Sequence, residues 1–336
     1  MFNLTNLQMN NIIITMIKVK VLQKESHQRI DKFVKKYLNE APLSFIYKLF
    51  RKKDVKVNGH WVKQDYVVNA DEEITIYVTD EQLEEFAKPK DVVMKDLKYP
   101  IVFEDNNILI VNKPRGVLVH GDNKEKRNTL SNDVLNYLFY KGEFNPRETH
   151  AFTPAPAHRL DRNTSGLVIF AKNLDSLNEL EELFKEKEEL VKTYVALVYG
   201  KLDDTLKIDL PLVKDSNSGL VKVGKVKDGA KSALSIVKPL KHYGNFTLVS
   251  VNLITGRTHQ IRVHLSAVNL PIVGDAKYGN FEVNRYIREQ FKFENQFLHA
   301  KTIEFKNIKK PLDYLSGKSF SSALPKDMEV LLNKLK

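Results

Sequence analysis

The chain has no cysteine in its 336 residues, which excludes disulfide frameworks, thiolate metal sites, iron–sulfur clusters and cysteine nucleophiles. Any nucleophile must carry oxygen or nitrogen. No stretch approaches the roughly 18 apolar residues of a membrane span, and the run from Ile12 to Ile17 is far too short, so no membrane protein is expected. That run also lacks a basic segment before it and a small-residue cleavage site after it, so a cytoplasmic address is expected. Arginine is scarce, 11 residues against 42 lysines, which reserves it for places where the planar guanidinium fork is needed. Acidic residues are also outnumbered. The net charge of +11 favours polyanionic partners such as nucleic acid or acidic lipid.

What is present is an ordinary globular composition, 42% hydrophobic and 28% charged, in a chain long enough for two domains. Residues 1–16 carry no charge and little periodicity, and are expected to be a loose tail or an early start; residues 1–25 form an extension that ends in a first strand. From Ser26 the pattern sharpens. Ile30, Phe33, Val34, Tyr37 and Leu38 fall at amphipathic-helix spacing, Pro42 is expected to end that helix, and Ser44 to cap a second one with Ile46, Leu49 and Phe50 buried. An Asn58-Gly59 pair between alternating residues predicts a hairpin, and Glu73 to Val78 a further strand.

Between Ser26 and Lys63 ten basic residues face three acidic ones, a balance of +7 in about a ninth of the chain. Such a rim suits RNA backbone, although lysine on helix surfaces also serves plain solubility. The helix pair and following turn, Arg29 through Asn58, resemble an S4-type RNA-binding domain, taken here as residues 26–80. Arg29, Lys48, Arg51, Lys52 and Lys53 are its candidate RNA contacts. Residues 81–98 read as a polar linker, and residues 99–336 as a second, α+β domain. Within that domain Ile108 to Val111 is a buried strand, Asp175 to Glu189 a helix, Tyr194 to Tyr199 a strand, and Phe246 to Leu253 a cleanly alternating antiparallel strand.

Five of the eleven arginines and four of the nine histidines lie in three short segments: Val111 to His120, His158 to Leu167, and Leu253 to Leu265. Polar, fork-bearing groups set in otherwise apolar segments are what a site requires. The string His158-Arg159-Leu160-Asp161-Arg162-Asn163-Thr164-Ser165-Gly166-Leu167 resembles the signature of the RluA-type pseudouridine synthases. Asn112-Lys113-Pro114, Lys192-Thr193-Tyr194, Gly256 to His264, Gly274-Asp275-Ala276-Lys277-Tyr278-Gly279 and Leu298-His299-Ala300 agree with it. The likeness runs from Arg29 to about Phe305, and Val119-His120-Gly121, Ser44-Phe45-Ile46-Tyr47 and Phe297-Leu298-His299-Ala300 most resemble the branch that modifies 23S rRNA of the large ribosomal subunit.

The resemblance implies a catalytic domain built on a mixed, mainly antiparallel sheet with flanking helices, joined to the small S4-like α/β domain. It implies isomerisation of particular uridines, with Asp161 as nucleophile, Arg262 paired to it, and Tyr194 as the pocket aromatic. Arg159 would fill the place of the flipped base. Around them Lys113, His158, Thr164, Arg257 and His259 are candidate RNA contacts.

The residues themselves leave the chemistry of Asp161 open, as nucleophile toward ribose or base, or as the base that takes a ribose proton. Isomerisation changes no oxidation state and loses no group, so no cofactor is expected. His259 and His264 lie five apart, not the four of a helical zinc pair, so no metal is expected either. The simple expectation is a monomer. Two rivals stand beside this reading: a non-catalytic S4-type rRNA chaperone or assembly factor, and a glycoside hydrolase, which would need a second carboxylate of comparable context. The stretch between Asp122 and Pro156 reads as a long polar loop that reshapes the pocket entrance.

Overall fold

The computed structural model describes residues 5–9, 12–88, 92–122, 124–146, 152–186, 189–215 and 219–335. The chain divides into two compact units. One comprises residues 1–97, 132–155 and 171–178, the other 98–131, 156–170 and 179–336.

The first unit is built on a five-stranded sheet in the order Thr5–Met9, Ile12–Lys20, Glu73–Thr79, Val55–Val57, His60–Trp61. The expected loose tail is therefore corrected: Ile12–Lys20 pairs antiparallel along Glu73–Thr79 and carries Thr5–Met9 on its other edge. Its β-branched run suits a pleated, half-buried surface, and Ile17, Val19 and Val21 alternate into the core. Helices Ile30–Tyr37 and Leu43–Arg51 bury Ile30, Phe33, Val34, Ile46, Leu49 and Phe50 against that sheet. The first helix stops at Tyr37, short of Pro42. Pro42, not Ser44, holds the N-cap position of the second, because its fixed φ of −66° presets the entry of the chain. Asn58 and Gly59 both take positive φ, 49° and 81°, the signature of the tight hairpin that the sequence announces. The expected linker contains a helix, Asp80–Phe86. Thr79 accepts from the Gln82 amide at 3.2 Å, and Gln82 accepts from the Thr79 amide at 3.1 Å.

The second unit carries a ten-stranded, mainly antiparallel sheet. Its path of eight strands runs Leu206–Asp209, Leu234–Tyr243, Phe246–Leu253, Leu190–Tyr199, Leu298–Phe305, Ser165–Ala171, Ile108–Lys113, Ile101–Glu104; off that path Ala155–Pro156 pairs with Ser165–Ala171 and Ser319–Ser321 with Leu298–Phe305. Among the registers the chain shows, Ser165–Ala171 beside Leu298–Phe305 is parallel. Three strands meet at one level. Gly166 opposes Ala300, and Ala300 opposes Tyr194, where a shift in register marks a bulge. Gly166 has φ +114°, and a Cβ there would fall 2.2 Å from the Ala300 carbonyl oxygen, so only glycine permits this approach. Asp161 and Tyr194 are thereby tied to one framework. The expected polar loop after Asp122 contains a helix, Leu130–Tyr140, which belongs to the first unit from residue 132 on and whose Leu130, Val134 and Leu138 are fully buried at helical spacing. No helix among the described residues is long and apolar enough to cross a membrane.

Candidate active site

A cavity of about 540 Å³ opens in the second unit, lined by the loop through Asp161, by Lys192 and Tyr194, and by the turn leading into Arg262. The Asp161 loop is bolted in place by neighbours. The Asp161 carbonyl accepts from the Thr164 amide at 3.1 Å, so the residue is also a turn former. Arg162 gives its carbonyl to the Gly116 amide at 2.9 Å and to Lys113 Nζ at 3.1 Å. Ser165 Oγ meets His299 Nδ1 at 2.9 Å, and Ser322 Oγ meets His299 Nε2 at 2.8 Å.

The opposite wall is shaped by Gln260, which is buried. Its Oε1 accepts from Thr255 Oγ1 and the Arg257 amide, and its Nε2 donates to the Leu234 carbonyl and Ser235 Oγ. Those four bonds fold residues Thr255 to His259 into a turn. The helix Gln260–Ala267 starts there and aims Arg262 at the cavity.

Arg262 Nη1 donates to Asp161 Oδ2 at 2.8 Å. Its Nε and Nη2 donate to Asp275 Oδ2 at 2.7 Å and Oδ1 at 2.9 Å, a bidentate grip on a wholly buried carboxylate. The guanidinium also lies 5.0 Å from the Tyr278 ring centre. Burial works against the charge of Arg262, but Asp275 and Asp161 outweigh it and hold its pKa above the ordinary value. Burial likewise opposes the Asp275 carboxylate, and Arg262 overcomes it, so that group sits below its usual range. Tyr194 is 5% exposed, and burial, reinforced by the Asp161 charge, pushes its phenol well up. It is a neutral aromatic at the cavity wall.

Three expected RNA contacts are tied to protein groups instead, although His158 and Thr164 also line the cavity. Lys113 is fully buried and donates to the carbonyls of Pro114, Val117 and Arg162 at 2.9, 2.8 and 3.1 Å, which occupies all three ammonium protons. It clamps loops rather than phosphate; burial pulls it down to about 7 against the raising effect of Asp161. Thr164 is buried and accepts from Gln296 Nε2 at 2.7 Å. His158 accepts from the Ile169 amide at 3.2 Å, packs 5.1 Å from the Phe184 ring, and is driven well below its usual pKa by burial and then by Lys192. Polar type reads as surface in a sequence, and these three are polar residues used as internal fasteners. Arg159 and Arg257 do lie exposed along the cavity, with Arg257 Nε donating to the Ser232 carbonyl at 3.0 Å.

In the first unit Lys48, Arg51, Lys52 and Lys53 are all exposed, and Lys53 Nζ stands 5.4 Å over the Trp61 ring. Arg29, Tyr47, Arg51, Trp61 and Lys63 line a shallow depression there; Arg29 is forked onto Asp31 at 3.1 and 2.8 Å. Sequence reading assigned no role to Asp275, Tyr278, Gln260 or His299. Each lies in a string that matches the family, and that match was the available signal.

Residues 107–267 match the family described as RNA pseudouridylate synthase. The chain is 33% identical over 311 residues to the ribosomal large subunit pseudouridine synthase C of Buchnera aphidicola subsp. Baizongia pistaciae, covering 88% of this chain and 94% of that one. It is 34% identical to the protein of that name in Escherichia coli strain K12, covering 85% and 88%. It is also 34% identical to an uncharacterized RNA pseudouridine synthase of Mycoplasma capricolum, covering 90% and 96%. The solved structure of human RNA pseudouridylate synthase domain containing 4 shares the fold, with a TM-score of 0.56 at 23% identity over 70% of this chain and 92% of that one. With identity at this level over nearly the whole chain, and an aspartate–arginine pair standing in the matched segment, the chain belongs to the RluA-type RNA pseudouridine synthases.

Proposed function

We propose that the chain isomerises particular uridines in large-subunit ribosomal RNA, with Asp161 as the reacting carboxylate, Arg262 as its ion-pair partner and Tyr194 as the aromatic wall against the base. The observation that carries this reading is the 2.8 Å contact of Arg262 Nη1 with Asp161 Oδ2 beside a cavity walled by Tyr194. The reaction breaks the bond from ribose C1′ to N1, turns the base, joins C1′ to C5, releases the C5 proton and returns a proton to N1. Atoms and electrons balance without any further group, so no cofactor is called for.

Asp161 attacks, or takes a ribose proton, only as the carboxylate, and an adjacent guanidinium favours that form. Arg262 cannot discharge, which makes it a permanent counter-charge in a site closed by substrate. Tyr194 gives a face for stacking and a hydroxyl able to relay the C5 proton. The uridine must leave its stack to reach the cavity, at a cost of about a few kcal/mol, and the exposed fork of Arg159 suits the vacated place.

The exposed cations of residues 26–80 support reading that region as an S4-like RNA-binding domain, ahead of a linker at 81–98 and a catalytic domain at 99–336. A monomer working in the cytoplasm accords with this substrate. A non-catalytic rRNA chaperone would have no use for a buried second carboxylate holding Arg262 against Asp161. The test is incubation of the protein with unmodified large- and small-subunit rRNA, followed by mapping of carbodiimide adducts as reverse-transcription stops. New stops in the large-subunit RNA alone are expected. Stops only in the small-subunit RNA, or in neither, would overturn the reading.

A further inference from the structure

His259 stands at the end of the turn before the Arg262 helix, in the left-handed conformation with φ 53° and ψ 17°. A residue with a full side chain is strained there, and asparagine or glycine would sit more easily. Something beyond the turn holds a histidine in place. Its Nε2 lies 3.8 Å from Asp161 Oδ2, and its Nδ1 lies 2.9 Å from the Tyr278 hydroxyl.

The tautomer follows from the next bond outward. The Val221 amide donates to the Tyr278 oxygen at 2.9 Å, so that oxygen is already an acceptor. Among the described residues the tyrosine proton has one acceptor within reach, His259 Nδ1. A neutral imidazole that accepts at Nδ1 carries its proton on Nε2. That proton faces the carboxylate.

We propose that His259 is a positioning residue for Asp161, its Nε2–H turned to Oδ2 in a tautomer fixed by the Tyr278 hydroxyl, so that Oδ1 is the oxygen left to react. This rests on Asp161 being the reacting carboxylate. Arg262 Nη1 and His259 Nε2 both address Oδ2, whereas Oδ1 has no hydrogen-bond partner among the described residues. The 3.8 Å separation is longer than a hydrogen bond, so the Nε2–H faces Oδ2 as a dipole, and the role requires that the two come within bonding distance in the reacting complex. Neutral histidine suits the role. Burial, above all, holds the His259 pKa below its ordinary value; of the charged groups around it Asp161 and Asp275 favour the cation and Arg262 and Lys277 oppose it, with Tyr278 on Nδ1.

Two measurements on the full-length protein test this. The first is the two-bond proton–nitrogen spectrum of protein labelled with ¹⁵N-histidine, with the His259 signal assigned by its loss in His259→Gln. The Nε2–H pattern is expected in wild type, and a mixture of tautomers in Tyr278→Phe. An Nδ1–H pattern in wild type, or no change in Tyr278→Phe, overturns the proposal whether or not the enzyme is active on the RNA tested.

The second compares His259→Gln, whose amide nitrogen reaches the Nε2 place, with His259→Asn, which better suits the left-handed backbone but donates only near Nδ1. In tritium release from C5-labelled rRNA, glutamine should keep kcat within about fivefold and asparagine should lose about tenfold or more, with KM little changed. Asparagine equal to or better than glutamine would reduce His259 to a turn residue. No release by wild type would instead count against the Asp161 reading and leave the tautomer result standing.

Discussion

Asp275 takes two of the three nitrogens of the Arg262 guanidinium, at 2.7 and 2.9 Å, from a position with no exposed side-chain surface. Arg262 is therefore held from behind and offers Asp161 a single nitrogen in a fixed direction. Preorganisation of this kind costs nothing at the moment of reaction, because the charge need not be gathered from solvent.

Removing the anchor leaves a guanidinium 8% exposed without its main partner. Asp275→Ala is expected to lower stability by about 3–5 kcal/mol, the range for breaking one side of a buried pair. Urea unfolding followed by circular dichroism measures it. A loss below about 1 kcal/mol would mean that water or another carboxylate replaces Asp275.

Gly166→Ala should be among the most damaging single-methyl additions in the chain. The new Cβ meets backbone at Ala300 in a φ of +114°, with no flexible side chain to yield. An unfolding midpoint close to wild type would show that the parallel pairing of Ser165–Ala171 with Leu298–Phe305 has more play than its geometry allows.

His299 bridges Ser165 and Ser322, and burial draws its pKa from an ordinary 6.5 down to about 4. Between those values the unfolded chain binds a proton that the fold refuses. The stabilisation from this group is complete above pH 6.5 and is lost as pH falls toward 4, by about 3 kcal/mol in all. Unfolding free energies at pH 7 and pH 4.5 should differ less in His299→Gln than in wild type. An equal pH dependence in the two proteins would contradict the assignment.

Binding of rRNA should weaken steeply with salt, since lysine makes point-charge contacts with phosphate and few forks. Lys48→Ala and Arg51→Ala should each reduce the slope of log affinity against log salt by about one, without changing which sequences bind. Wild-type binding that stays flat from low to moderate salt would remove the exposed cations of the first unit from the RNA contact.

Where a side chain repeats a period, the fold was legible: the helix pair of the first unit, the Asn58-Gly59 hairpin and the strand Phe246–Leu253 all follow from spacing. The strands Thr5–Met9 and Ile12–Lys20 escaped, their uncharged run reading as a tail, and so did two helices. The helix Leu130–Tyr140 was hidden by polar flanks despite its buried stripe, and the capping box of Thr79 and Gln82 lay unread inside a segment taken for linker. At the site, the strings identified which stretches converge but not which way each side chain turns. Lys113 and Thr164 face inward because the Asp161 loop needs internal fasteners, and nothing in residue type distinguishes a buried lysine from a phosphate contact. Asp275 shows no role in the sequence, since its role exists only once Arg262 is folded against it.

The central claim is that Asp161, held by Arg262, performs the isomerisation. Tritium release from rRNA labelled at uracil C5 tests it most directly, comparing wild type with Asp161→Asn, because joining C1′ to C5 must expel that hydrogen. Wild type should release tritium, and Asp161→Asn should release none above background while still binding the RNA. Comparable release by the two proteins would contradict the account.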